Sequence, residues 1–231
     1  MKKINIYAER EKQMKKQSFR LYGRQKSGPI NHAQHELMDQ LLPNLDVDIQ
    51  EIDKSSDAVL EIGFGNGSHM VALAQKSPKT LFIGCEPFLN GVVSVLEHID
   101  SKEIRNIRIH NGDIRHLIPE MPNGLFSQIY LLYPDPWPKK RHWKRRLVTQ
   151  EFLNTAHRLL KKDGALYIAS DHDTYQNWIE NCISSTYASA LFDWSNQKTM
   201  TISWDRWQST KYEEKALREG RTPRYYVLTK K

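Results

Sequence analysis

Cysteine is scarce in this chain. Cys85 and Cys182 are the only two among 231 residues, and they make no Cys-x-x-Cys pair and no metal-ligand spacing. That excludes a disulfide scaffold and reads as two packing thiols in a reducing compartment, hence the cytoplasm. No apolar run approaches the roughly eighteen residues that a spanning helix needs, so no membrane partner is expected. The first residues carry Lys2, Lys3, Arg10 and Lys12 and lack the apolar stretch of a secretory signal. Internal repeats and low-complexity linkers are missing too, and the length then favours one α/β domain. The hydrophobic share of 39% suffices for one core.

What is abundant is positive charge, and it is concentrated. The net charge is +7. Residues 1–26 hold nine Lys and Arg against two acids, which is the whole excess, so residues 27–231 are neutral. Inside that neutral body, Lys139-Lys140-Arg141-His142-Trp143-Lys144-Arg145-Arg146 packs six fixed positive charges into eight residues. A neutral body with two basic patches implies a polyanionic partner.

The chain divides into a basic arm, residues 1–30, ending in turn chemistry at Ser27-Gly28-Pro29, and a single domain over 31–231. A short amphipathic helix (His35, Leu37, Met38, Leu41, Leu42) is expected to stop at Pro43. Strand and helix patterns then alternate. Strands are predicted at 58–62, 80–85, 107–110, 128–132 and 165–169. Helices are predicted around Met70–Ala74, Val92–Ile99, Val148–Leu160 and Tyr175–Ile183, the third with Lys161-Lys162 in its last turn and Gly164 as its cap. Two more strands are expected near 199–204 and 224–229. Alternation of this kind builds a parallel sheet with helices on both faces, and ligands sit at the carboxyl ends of its strands.

Three strand ends carry chemistry. Glu61-Ile62-Gly63-Phe64-Gly65-Asn66-Gly67 follows the first strand and opens a helix. Its glycines allow a tight turn and close approach to a ligand. The spacing is GxGxG, with Ser68 where a dinucleotide fingerprint would place its third glycine. Glu61 would repel a pyrophosphate but suits the ammonium of an amino-acid tail, as in S-adenosylmethionine. Glu86, ending the second strand, can accept from ribose hydroxyls, which fits NAD and S-adenosylmethionine equally. Asp113, ending the third, either accepts from an adenine amino group or simply forms the turn Asn111-Gly112-Asp113. After the fourth strand comes Tyr133-Pro134-Asp135-Pro136-Trp137-Pro138. Each residue before a proline is disfavoured in the helical region, so the segment is expected to be stiff and extended, presenting a carboxylate and two aromatic faces to an extruded base. A metal reading of Asp171-His172-Asp173 finds no supporting ligand spacing elsewhere, so no metal is expected.

These residues resemble the bacterial tRNA (guanine-N7)-methyltransferases. The likeness spans roughly residues 55–231 and rests on Glu61-Ile62-Gly63-Phe64-Gly65, the highly specific run from Tyr133 to His142, Ser170-Asp171, and Thr210-Lys211-Tyr212-Glu213. It implies a Rossmann-like class I methyltransferase with a mostly parallel seven-stranded sheet, helices on both faces and a C-terminal antiparallel hairpin. It implies that Glu61, Gly63, Gly65, Gly67, Glu86, Asp113 and Asp135 line an S-adenosylmethionine pocket, with Asp135 catalytic. Lys139, Asp171, Thr210, Lys211, Tyr212 and Glu213 would face the substrate, and Arg141, His142, Trp143, Lys144, Arg145 and Arg146 would contact RNA. The implied partner is tRNA, methylated in its variable loop, with no obligatory protein partner and a monomer or homodimer as the working form. Ser18-Phe19-Arg20-Leu21-Tyr22-Gly23-Arg24 matches the family's arm only loosely, and Trp143 stands where a small polar residue is expected. An NAD(P)-dependent oxidoreductase is disfavoured by the GxGxG spacing, an adenine-N6 methyltransferase by the Asp-Pro-Trp-Pro-Lys run, and a non-catalytic RNA-binding protein by the intact loop and Asp135.

Overall fold

The computed structural model describes residues 21–23, 25–53, 55–194 and 208–231. The arm through residue 20 and the strand expected near 199–204 lie outside those residues. The described residues form two compact units: one comprises the chain up to Ser56 with Glu61–Met121, the other Asp57–Leu60 with Pro122–Lys231. The first strand, β1 (Ala58–Ile62), contributes to both, and every one of its residues is buried.

In the first unit, α1 (His32–Leu45) starts from Asn31, whose side chain accepts from Gln34 N while the Gln34 side chain accepts from Asn31 N. This reciprocal cap fixes the helix entry. The helix does not stop at Pro43; it continues to Leu45. Proline removes one hydrogen bond, and in the final turn little helix remains to disrupt. His35 is exposed, and only Leu42 of the expected apolar stripe is fully buried. The unit continues with α2 (Ser68–Lys76), β2 (Leu81–Cys85), α3 (Leu89–Ser101) and β3 (Ile107–His110). β2 and β3 pair in parallel, Phe82 opposite Ile107. Asn106 secures the α2–β2 connection: its Nδ2 donates to the carbonyls of Ala74, Ser77 and Thr80 at 2.9–3.0 Å. The described end of the arm docks on the start of α3, where Leu89 N donates to Gln25 O and Ser27 N to Asn90 Oδ1.

In the second unit, β4 (Phe126–Leu132) pairs in parallel with β5 (Leu160–Ser170), and α4 (Gln150–Leu159) lies between them in the chain. α5 (Asp173–Ile183), α6 (Thr186–Leu191), β6 (Phe192–Asp193), α7 (Lys211–Arg218) and β7 (Arg224–Lys230) complete it. β7 runs antiparallel to both β5 and β6. Phe152, Ala156 and Leu159 of the expected stripe are buried in α4, and Leu153 is buried with them. The end of the helix differs from the expected one: the helix stops at Leu159, and Lys161, Lys162 and Gly164 belong to β5. There Leu160 pairs with Phe126 and Ala165 with Gln128, so the intervening residues bulge, with Asp163 at φ 61°. Gly164 serves the bulge, since a methyl group there would lie 3.0 Å from the carbonyl oxygens of Lys161 and Ser127.

The complete strand order is β3-β2-β1-β4-β5-β7-β6, a seven-stranded mixed sheet flanked by helices. Among the described residues, no helix is long and apolar enough to cross a membrane. Asn106→Ala removes the donor shared by three carbonyls and is expected to cost about 1–3 kcal/mol in urea unfolding, with little change in m-value.

Candidate active site

The first unit carries a glycine loop with carboxylates behind it. Gly63, Gly65 and Gly67 all have positive φ, at 74°, 56° and 72°. A side chain at Gly67 would overlap Val95, whereas one at Gly63 would meet nothing within 4 Å, so the backbone there borders open space. Gly91, in α3, was not singled out from sequence, yet a methyl group on it would overlap the Gly65 carbonyl. A glycine inside a helical pattern was the available signal of close backbone approach.

Glu86 is buried and tied to this loop. Its Oε2 accepts from Gly65 N at 2.8 Å and its Oε1 from Phe88 N at 2.9 Å. Glu61 is 4% exposed and faces the equally buried His69, with Oε2 2.8 Å from Nδ1. With a proton on Nδ1, His69 donates to the carboxylate and fixes its rotamer. Sequence spacing gave no hint of this pair. Asp113 caps the 3₁₀ turn Ile114–His116, accepting from Arg115 N, and also forks onto the Arg115 guanidinium at 2.6–3.0 Å. Burial alone would raise its carboxyl, but the side-chain and backbone bonds from Arg115 outweigh that and hold it below the ordinary value. The turn-forming reading of Asp113 is thus realised, and an adenine amino group would have to share an oxygen with Arg115.

In the second unit the segment from Tyr133 to Pro138 leaves β4, but it is not uniformly extended. Tyr133 and Trp137 adopt φ 52° and 44°. Left-handed aromatic residues are uncommon and strained, costing about 1–3 kcal/mol each, and they persist only where surroundings over-determine them. The two turns leave Asp135 exposed, with no hydrogen bond from any described residue. Enough protein still surrounds it that desolvation raises its carboxyl above the ordinary value.

Around this loop stand the other acids of the same unit. Asp171 accepts from Arg221 Nε at 2.7 Å. Glu213 is buried, its backbone N–H bonded to the Thr210 hydroxyl, which caps α7. The Tyr225 hydroxyl donates to Glu213 Oε1 and lies 3.4 Å from the Tyr133 hydroxyl. Burial first, and then the charges of Glu213 and Asp171, push the Tyr133 phenol far up, so it stays a neutral donor. The Tyr212 ring stacks on Tyr133 with centroids 6.5 Å apart and is 55% exposed. Lys139 and Lys211 are exposed. Tyr225 and Arg221 were not anticipated from sequence, nor was Gln176, which is 1% exposed and holds the end of β5 by donating to Ser170 O and Thr222 O. Among the described residues no cluster of His, Cys, Asp or Glu could hold a metal ion.

The basic run forms a 3₁₀ turn, Lys140–Arg145. Arg141 and Lys144 are exposed. His142 meets the Trp137 ring edge-on at 5.8 Å, and the Arg145 guanidinium lies 4.8 Å from the centre of that ring. Desolvation and the cations Arg145, Arg141 and Lys139 hold the His142 imidazole below its ordinary value, which favours the neutral ring. Trp143 packs edge-on against Trp178. Arg146 must be withdrawn from the expected RNA-contacting set: it is 3% exposed, and its guanidinium is engaged by protein carbonyls and aromatic rings.

An open glycine loop backed by buried carboxylates, on a sheet whose last strands turn antiparallel, defines a Rossmann-like class I methyltransferase. A family model described as "Putative methyltransferase" matches residues 55–224. A tRNA (guanine-N(7)-)-methyltransferase of Agrobacterium fabrum is 37% identical over 225 residues, covering 91% of this chain and 94% of its own. The Bradyrhizobium diazoefficiens protein of the same name is 40% identical, covering 88% and 90%. The solved structure of the 16S rRNA methyltransferase KamB shares the fold at 14% identity, TM-score 0.54, covering 88% of this chain and 95% of that one. The chain belongs to the tRNA (guanine-N7-)-methyltransferase family.

The glycine loop suits a donor with ribose hydroxyls and a cationic tail: Gly63 is open, and Glu61 and Glu86 are acidic. Gly91→Ala would displace the Gly65 carbonyl and is expected to weaken S-adenosylmethionine binding at least about tenfold by calorimetry. An unchanged affinity would mean the loop is not where the cofactor binds.

Proposed function

We propose that this protein transfers a methyl group from S-adenosylmethionine to N7 of a guanine in the variable loop of tRNA, in the cytoplasm, without an obligatory protein partner. The observation that carries the reading is Asp135: a carboxylate with no described partner, on a strained loop, with its proton affinity raised by partial burial. Membership of a family whose relatives bear that activity in their names supports it.

The bound donor supplies an electrophilic methyl group on a sulfonium. Guanine N7 attacks with its in-plane lone pair and needs no deprotonation. The new N–C bond forms as the C–S bond breaks, sulfur keeps the bonding pair, and the base becomes cationic. Asp135 therefore acts by orientation and by stabilising positive charge as it develops, not as a general base. N7 must stay free, so the base is held by its Watson–Crick edge, where N1–H and the amino group both donate. Asp135, Asp171 and Glu213 are the acceptors. Tyr212 offers an exposed ring face for stacking, and Lys139, Lys211 and Thr210 complete the substrate side. Arg141, Lys144 and, at their edges, His142 and Arg145 meet phosphates.

Incubation with labelled S-adenosylmethionine and an unmodified tRNA transcript is expected to give one 7-methylguanine-specific cleavage, in the variable loop. Asp135→Ala should abolish it; label elsewhere in the RNA would keep the methyltransferase and discard the N7 assignment. Because the ionised carboxylate is the working form and its pKa is raised, activity should fall with decreasing pH along a limb lying above the ordinary aspartate range. A limb at the ordinary value would remove Asp135 as its source. Replacing the target guanine by inosine deletes one of the two donors and should slow transfer; an undiminished rate would remove the carboxylate clamp.

A further inference from the structure

We infer that Arg146 is a positioning residue for methyl transfer, holding the Asp135 loop to the Asp171 segment, rather than a contact to RNA. Four of the five guanidinium N–H groups are committed. Nε donates to Pro136 O at 2.9 Å, Nη1 to Thr174 O at 3.2 Å, and Nη2 to Thr174 Oγ1 at 3.1 Å and Trp137 O at 3.4 Å. The ring planes of Trp143, Tyr175 and Trp178 surround it at 4.8–5.1 Å. Among the described residues no carboxylate lies within ion-pair distance of it, although Asp135 and Asp171 are close in the chain to its acceptors.

A buried cation without a counter-ion is costly, so its compensation by carbonyl dipoles and π faces identifies a built arrangement. The carbonyls it grips belong to the residue after Asp135 and to Trp137, which is held at φ 44°. The Trp137 peptide is not in its relaxed orientation, and Arg146 is the donor that fixes the carbonyl on that turn. Thr174 lies in the first turn of α5, three residues after Asp171. One planar fork therefore sets two substrate-side carboxylates relative to each other. Lysine keeps the charge but has three N–H donors on one nitrogen and no planar fork to span the four acceptor atoms on Pro136, Trp137 and Thr174. Because the guanidinium does not pair with Asp135, the acceptor oxygens of that carboxylate, when ionised, are left to the base.

The inference rests on the catalytic reading of Asp135, so the test carries a readout independent of turnover. Arg146→Lys, Thr174→Val and Lys144→Ala are compared with the unaltered protein for kcat, KM for tRNA, and hydrogen exchange across residues 133–146. Thr174 is exposed, so Thr174→Val removes one acceptor without disturbing the core. Arg146→Lys should lower kcat about a hundredfold, the scale of an ångström-sized misplacement, at unchanged KM and with faster exchange in the loop. Thr174→Val should move kcat the same way by a smaller factor, while Lys144→Ala should raise KM and leave kcat alone. An increase in KM at constant kcat for Arg146→Lys would make Arg146 a phosphate contact and overturn the inference, as would full activity, which would mean charge alone suffices. If Arg146→Lys loses cofactor binding and melts early, Thr174→Val decides: a lower kcat at constant KM sustains the inference, and wild-type kinetics ends it. Faster exchange with undiminished kcat also overturns the inference, because the clamp then orders the loop without serving methyl transfer; the role given to Asp135 is read separately, from Asp135→Ala.

Discussion

A carboxylate without a paired cation among the described residues, Asp135, is the constraint around which the second unit is built. On the proposed mechanism, pairing Asp135 with a neighbouring arginine would satisfy the protein and defeat the chemistry, because positive charge develops on the base. The unit instead spends its cations elsewhere. Arg221 answers Asp171, Arg224 answers Glu180 at 2.7 Å, and Arg146, the nearest of these three to Asp135 in sequence, is turned onto carbonyl oxygens. Glu213 accepts from the Tyr225 hydroxyl. At Asp135 desolvation works against the ionised form and raises the carboxyl above its ordinary value.

The same logic explains the backbone strain. Relaxed, a proline-punctuated segment runs extended and its carboxylate points where the chain happens to lead. Left-handed turns at Tyr133 and Trp137 redirect it, and both are anchored. The Tyr133 N–H donates to Ala169 O, while the Trp137 carbonyl accepts from Arg146. Strain at a pair of aromatic residues is unfavourable by itself, and its persistence beside a carboxylate with no partner among the described residues supports the functional role proposed for the loop.

The sheet was legible in the sequence because buried strands read as short apolar runs bounded by turn residues. Ala58–Ile62 and the helix stripe from Phe152 to Leu159 are of this kind. Legibility failed where local rules met tertiary constraint. Lys161-Lys162 before Gly164 has the composition of a helix end, but the chain had already left the helix at Leu160, and the glycine relieves crowding in a strand bulge. Proline stiffness suggested an extended loop, and the anchors at Ala169 and Arg146 overrode it. Helix α7 went unnoticed although Thr210 and Glu213 have the spacing of a helix cap, which the structure uses. The strand-end placement of the glycine loop, Glu86 and Asp135 was readable because motif and strand end coincide. His69 against Glu61, Gly91 against Gly65, Tyr225 on Glu213 and Arg221 on Asp171 were not, since sequence records a residue's type but not what it touches.

The basic run shows how one charge cluster can serve two purposes. Read as a string it is uniformly cationic, and nothing distinguishes its last arginine from the rest. Folded as a 3₁₀ turn it repeats every three residues, so side chains three apart stand in line. Arg141 and Lys144 make an exposed line; His142 and Arg145 make a second against the Trp137 ring. Trp143 and Arg146 make a third, turned inward onto Trp178 and Tyr175. The departure from the family pattern at Trp143 falls on that inward line, where a large ring covers the buried guanidinium 4.8 Å away. A small polar residue there would leave that face of Arg146 to other neighbours or to water. On the positioning role inferred for Arg146, a substitution at position 143 is expected to act on catalysis through Arg146 before it acts on RNA.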